Sequence, residues 1–121
     1  MRWTRRRGER GAVTAELALV LPLLVAVTIG LVWLLAVGAA QVRTVDAARE
    51  TARALARGDD VEEAVARGIR VAPAGSTISV SHGDGEVRVV VIGEVAGPGG
   101  LFGHLPAPQV RAEAVAAEES P

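Results

Sequence analysis

The sequence predicts an α+β fold: a long N-terminal transmembrane helix continuing into a juxtamembrane helix, then a short helix and a small antiparallel three-stranded sheet. Three observations predict it. Leu17 to Ala40 is an apolar run of 24 residues without a charge. Gln41 to Arg57 follows with no Gly or Pro between and keeps helical spacing of its apolar residues. From Thr77 onward the pattern changes to alternation punctuated by turn signals.

The first element is set by length and hydropathy. At 1.5 Å per residue the apolar run spans about 36 Å, enough for a hydrocarbon core of about 30 Å. A secretory signal has a shorter apolar core, so the reading is a retained span. Arg2, Arg5, Arg6, Arg7 and Arg10 stand before it against Glu9 alone. That asymmetry keeps the N-terminus in the cytoplasm and exports the C-terminal part. Trp33 reads as lipid-facing bulk. Glu16 stands at the edge of the run, where a carboxylate is costly unless neutralised. Pro22 removes a backbone donor and is expected to kink or loosen the helix.

In the juxtamembrane helix Val42, Val45, Ala48, Ala52 and Leu55 form the expected buried stripe. Asp46 with Arg49, and Glu50 with Arg53, are acid-before-base pairs at i, i+3 on its polar side. Gly58 is read as the C-terminal cap. Asp60 with Glu63 has the spacing of a capping box, with Val61, Ala64 and Val65 as a short apolar face closed by Gly68. Arg57-Gly58-Asp59 spells an integrin-type tripeptide, but a helix stop followed by an N-cap accounts for it.

Pro73-Ala74-Gly75 marks a turn. Residues 77–81 alternate, with Ile78 and Val80 on one face, and Gly83-Asp84-Gly85-Glu86 is a tight hairpin connection. Residues 87–95 are β-branched, with Val87, Val89 and Val91 on one face. Residues 97–108 form a Gly/Pro loop carrying Leu101, Phe102 and Leu105. Residues 109–116 alternate again, Val110, Ala112 and Ala114 opposing Arg111 and Glu113. Residues 117–121 read as a frayed tail. The resulting organisation is a basic cytoplasmic leader (1–11), a membrane helix (12–40), a juxtamembrane helical region (41–70) and an exported small β domain (71–121). About 80 residues outside the membrane give a small core.

Composition narrows the function. The 121 residues include 13 arginines, no lysine, 14 acids and no cysteine, for a net charge of −1. No disulfide framework, thiolate metal site or cysteine nucleophile is available. Aromatics make up 2% and Tyr is absent, which speaks against base stacking. From Gln41 onward 8 arginines face 12 acids, so the exported part is acidic and nucleic acid is not an expected partner. His82 and His104, expected in a turn and a loop, do not make a metal-ligand set. Asp84-Gly85 lacks the repeated acids of a calcium loop. No phosphate-binding glycine loop, Ser/His/Asp constellation or carboxylate pair is evident. No enzyme, cofactor or metal is expected.

The stretch Arg10-Gly11-Ala12-Val13-Thr14-Ala15-Glu16 followed by an apolar run resembles the type IV prepilin signal. With Gly11 as the last leader residue, Ala12 becomes the new N-terminus and Glu16 the fifth mature residue. The freed α-amino group and the Glu16 carboxylate can then neutralise each other, within a subunit or between neighbours. Gly11 has no side chain to keep a peptidase from the scissile bond. Ala12 departs from the Phe or Met usual after the cleavage point in type IV pilins.

Together with Gln41-Val42-Arg43-Thr44-Val45-Asp46-Ala47-Ala48-Arg49-Glu50-Thr51-Ala52-Arg53, these residues resemble the TadE-like minor pilins (pseudopilins) of tight-adherence pilus systems, particularly the short actinobacterial type. Pro22 shares in the likeness. Leu17 after Glu16 departs from the Glu-Tyr pair of the major pilin and favours the minor class. The resemblance implies a pilin-like fold and processing by a prepilin peptidase between Gly11 and Ala12. It implies assembly through Glu16 and Pro22 with an Flp-type major pilin and other TadE-like minor pilins. It also implies membrane platform proteins, an ATPase, a place in the lipid bilayer and incorporation in a surface pilus. Two other readings are a single-pass membrane-anchored interaction protein and a secreted effector cut after Val37-Gly38-Ala39-Ala40.

Overall fold

The computed structural model describes residues 2–99 and 104–119, with the backbone alone at 2–7. Its elements are α1 (Arg2–Ala56), α2 (Val61–Val71), β1 (Thr77–Gly83), β2 (Glu86–Glu94) and β3 (Gln109–Ala117). This is the expected α+β fold. Two compact units divide the chain, Met1–Trp33 and Leu34–Pro121.

The first unit is helix throughout its described residues. Helix α1 is long and apolar enough to cross a membrane: its most apolar stretch has a mean hydropathy of 2.7, and none of that stretch is buried. Such a helix fits a single-pass anchor. Pro22 lies inside α1 and does not end it. Thr14 and Thr28 donate their hydroxyls to the carbonyls of Arg10 and Leu24, both at 2.8 Å. A polar side chain is satisfied that way without leaving the helix. Trp33 is half-buried.

In the second unit α1 ends where Gly58 permits it. Gly58 has φ +90°. Its N–H reaches the Leu55 carbonyl at 3.0 Å, and the Asp59 N–H reaches Ala54 O at 3.1 Å. These two bonds make a Schellman cap, which favours glycine because the left-handed backbone crowds a β-carbon.

Helix α2 differs from expectation at both ends. Asp60 occupies the N-cap, yet its side chain makes no capping hydrogen bond. Glu63 is drawn instead to Arg67, at 3.2 Å, so the reciprocal box does not close. Gly68 does not end the helix, which runs on to Val71. The stop comes from Pro73, which forces Ala72 into extended backbone with ψ 157°. Gly68 is buried and serves close packing. A β-carbon there would overlap the Thr51 hydroxyl, come within 2.8 Å of Ile78 Cδ1 and sit 3.4 Å from the Ala47 carbonyl. Ala64, four residues earlier, is buried and Val65 is half-buried, while Val61 is exposed.

The sheet has the order β1-β2-β3, with both pairs antiparallel. Gly83 pairs with Glu86, which leaves Asp84 and Gly85 as a two-residue turn with φ of 54° and 74°. Two consecutive positive φ values define the I′ turn whose twist suits a hairpin. Alternation sends Val87, Val89 and Val91 inward with no exposed surface. Val110 and Ala112 are buried from β3, and Ile78 and Val80 are half-buried in β1. His82 falls within β1, not in a turn. Of the Gly/Pro loop, Leu105 is exposed and Leu101 and Phe102 lie outside the described residues, as do the last two residues of the tail.

The core joins this sheet to α1. Ala47, Ala48, Ala52, Ala54 and Leu55 form one buried cluster with the three β2 valines, Ala64 and Ala112. Small residues on the helix let the sheet approach. Val45 is half-buried and Val42 is 60% exposed, so the buried face is centred further round the helix than the expected stripe. Its centre includes Thr44 and Thr51, both fully buried. Their hydroxyls donate to Ala40 O at 2.7 Å and Ala47 O at 2.9 Å, which removes the penalty of burial.

Candidate functional site

The residues marked by the sequence as functional, Gly11, Ala12, Glu16 and Pro22, all lie on α1 within the first unit. Ala12 and Glu16 are four residues apart and share a helix face. All four are exposed. A β-carbon on Gly11 would meet nothing within 4 Å. Neither packing nor backbone geometry in this chain therefore requires glycine there, and glycine costs a helix interior about 1 kcal/mol relative to alanine. Glu16 forms no ion pair or hydrogen bond among the described residues. Pro22 has no N–H to offer the Ala18 carbonyl one turn earlier. From Leu17 to Leu35 the Leu, Val and Ile side chains are exposed, Leu19 at 76% and Leu35 at 74%. The anchor thus presents an apolar surface with one carboxylate near its start.

A family model described as TadE-like protein matches residues 11–53. Over those residues the chain is similar to that family. The TadE-like segment opens at Gly11, takes in Ala12, Glu16, Pro22 and the anchor, and ends four residues before Arg57. No curated protein and no solved structure matches the chain.

Beyond the TadE-like segment the chemistry is sparse. His82 Nε2 and Glu118 Oε1 are 3.6 Å apart at the hairpin end of the sheet, both partly exposed. Arg88 pairs with Glu113 across the outer face, and Arg111 approaches the same carboxylate at 3.8 Å. A cleft of about 440 Å³ lies between the Gly75 turn and the ends of β2 and β3, and Glu94 is the single ionisable residue lining it. Among the described residues no group of three His, Cys, Asp or Glu side chains could hold a metal ion. Asp59 of the Arg-Gly-Asp tripeptide is engaged by Arg67 at 3.4 Å and by Arg57 at 3.6 Å. It serves as a clasp between the helix ends.

Sequence reasoning passed over Thr44, Thr51 and Gln41, and misread the part that Gly68 plays in the second unit. Thr44 and Thr51 read as polar, although a hydroxyl bonded to the i−4 carbonyl can face a core. Gln41 donates its side-chain amide to the Arg111 carbonyl at 3.0 Å and so ties the helix to the edge of β3. Gly68 could have been found through its i, i+4 spacing from Ala64, a pair of small residues on one helix face.

Proposed function

We propose that this chain is a non-enzymatic minor pilin, or pseudopilin, that takes part in assembly of a tight-adherence, Flp-type pilus. The observation that carries the reading is the TadE-like match, which runs from Gly11 through the anchor into the juxtamembrane helix. That match supports a part in tight-adherence pilus systems and structural rather than catalytic work. The finer statements are our own. A prepilin peptidase cuts between Gly11 and Ala12 on the cytoplasmic side, and the anchor stays attached. The C-terminal unit is exported, and the new α-amino group and Glu16 neutralise each other when helices pack. Flp-type major pilin, other TadE-like minor pilins and the membrane platform are the partners.

Two features support this mechanism. Glycine at position 11 has no packing reason within this chain, which suits a backbone that a peptidase must approach closely. A cut after Ala40 would divide the second unit within its own core. Ala40 is 7% exposed and its carbonyl receives the Thr44 hydroxyl. The test is N-terminal sequencing of the protein extracted from membranes of a piliated strain. A chain beginning at Ala12 is expected. An intact Met1 would reduce the protein to a plain anchored domain, and a soluble chain cut after Ala40 would make it a secreted one.

A further inference from the structure

Residues 95–110, sixteen in a row, carry no Asp, Glu, Lys or Arg, in a chain of which 22% is charged. Most of them form the loop that joins β2 to β3, closed at its base by the Val95 N–H on the Pro108 carbonyl at 3.2 Å. Within it Ala96, His104, Leu105, Pro106 and Ala107 are exposed, Leu105 at 49%. Glu94 and Arg111 bound the uncharged stretch. An exposed apolar patch rimmed by charge marks a contact with a partner or a membrane.

The position of the loop decides between them. Gln41 is the first residue after the apolar run, and its side-chain amide holds the Arg111 carbonyl at 3.0 Å. Past Arg111, β3 supplies Ala112 to the cluster that Ala47, Ala48, Ala52 and Leu55 form with Val87, Val89 and Val91. In register those valines stand opposite Ala116, Ala114 and Ala112. Strand β3 therefore follows α1 away from the apolar run, and residues 108–110 lie on the run's side of Gln41. At about 3.3 Å per strand residue they reach up to about 10 Å in that direction. Leu34–Ala40, the last seven residues of the run, belong to this same unit and cover about the same length. The loop thus lies beside the end of the run, at the opposite end of the sheet from the hairpin.

We propose that the β2–β3 loop is a second membrane contact, its uncharged surface around Leu105 resting in the interface of the bilayer that α1 crosses. Pro98, Pro106 and Pro108 have no N–H to leave unpaired there. The other loop N–H and C=O groups forbid anything deeper, because irregular backbone is not tolerated in the hydrocarbon core. The contact is therefore at the boundary of headgroups and acyl chains, about 5–10 Å deep. With no Lys or Arg in the stretch it is apolar in kind and does not call for anionic lipid. Attached by α1 and by the loop, the second unit is held on the surface and does not swing on its helix. The inference needs α1 to span the bilayer and is independent of the pilus reading.

The chain has no cysteine, so a single introduced one can carry the polarity-sensitive fluorophore NBD. Full-length Leu105→Cys, Val115→Cys and Leu24→Cys are each labelled and reconstituted in phosphatidylcholine vesicles. Val115 is as exposed as Leu105, at 49%, but lies towards the far end of β3. Lipid carrying a nitroxide high on its acyl chain is expected to quench the label at 105 about twofold, with blue-shifted emission, and to leave the label at 115 unchanged. Quenching at 24 without quenching at 105 overturns the proposal, as does equal quenching at 105 and 115. A blue shift at 105 without quenching also overturns it, and points to protein as what covers the loop. No quenching at 24 removes the span and this inference with it. Ala107→Cys, labelled with Leu105 in place, is expected to be quenched as well, and adding Leu105→Asp to abolish most of that. Quenching at 107 that survives Leu105→Asp overturns the part given to Leu105.

Discussion

Gly68 of α2 packs so closely on Thr51 of α1 that a β-carbon at position 68 would overlap the Thr51 hydroxyl oxygen. Thr51 is fully buried and its hydroxyl is committed to the Ala47 carbonyl at 2.9 Å, so it cannot swing away without losing that bond. Ile78 Cδ1, at 2.8 Å from the same point, is the end of a flexible side chain and can yield. Gly68→Ala is therefore expected to destabilise the second unit by about 1–3 kcal/mol, despite alanine's better helix propensity. Adding Thr51→Ala clears the overlap and is expected to recover part of the loss. Thermal unfolding of the full chain in detergent, followed by the double-mutant cycle, measures both. Additive losses would show that the two sites do not meet.

That relationship marks where the sequence stops being legible. Features that depend on local chemistry could be read directly. Gly58 signals a left-handed cap, Asp84-Gly85 signals a two-residue turn, and Val87, Val89 and Val91 fix which face of β2 is inward. Features that depend on a partner element could not. Gly68 looks like a helix stop because a glycine in a helical pattern has two meanings, and only the position of Thr51 selects between them. Val42 reads as part of the apolar stripe by its spacing, whereas the centre of the buried face is set by how the sheet meets Ala47, Thr51 and Leu55. The capping box failed for a similar reason: Arg67, one turn on, competes for Glu63.

The candidate site was legible in a different way. Gly11, Glu16 and Pro22 stand out because they are poor choices for an isolated apolar helix, and Ala12 only as the residue that follows Gly11; among the described residues the structure gives Gly11 and Glu16 no contacts that would explain the choice. The match to TadE-like protein begins at the first of them. The acid-before-base spacings of Asp46 with Arg49 and Glu50 with Arg53 were visible in α1, yet among the described residues neither pair closes, since i, i+3 spacing permits an ion pair without enforcing one.

The hairpin offers a backbone test. Asp84 and Gly85 both have positive φ, at 54° and 74°. Asp tolerates that region through local hydrogen bonding, whereas Ala does not. Gly85→Ala is expected to cost about 1–2 kcal/mol, and Asp84→Asn to be nearly neutral. Chemical denaturation of the two variants against the parent chain is the measurement. Equal midpoints for all three would mean that the turn relaxes to another form.

Val89 tests the core. It lies in the central strand, has no exposed surface and belongs to the cluster that joins the sheet to α1. Val89→Ala is expected to lower stability by about 2 kcal/mol, since two buried methyl groups are lost and a void remains. Val90, its neighbour, points to the other face and is only half-buried. Val90→Ala is expected to cost well under half as much. Similar losses at both positions would contradict the observed register.

Glu16 tests the proposed function. A carboxylate near the start of a membrane helix opposes burial, and here it is exposed with no ion pair or hydrogen bond among the described residues. The proposed partner is the α-amino group freed at Ala12, on the same subunit or on an adjacent pilin. Glu16→Gln should leave membrane insertion intact, because the 24-residue apolar run suffices for a span. It should also leave the second unit folded, because that core begins only at Ala40. Helix docking is the step expected to fail, since an amino group left unpaired in an apolar assembly costs several kcal/mol. The measurement compares membrane levels of the variant with surface pili in a strain lacking the native copy. Normal protein with few or no pili is the expected outcome. Normal protein with normal pili would make Glu16 an interfacial charge, and it would remove the mechanistic link between the Ala12 amino group and assembly.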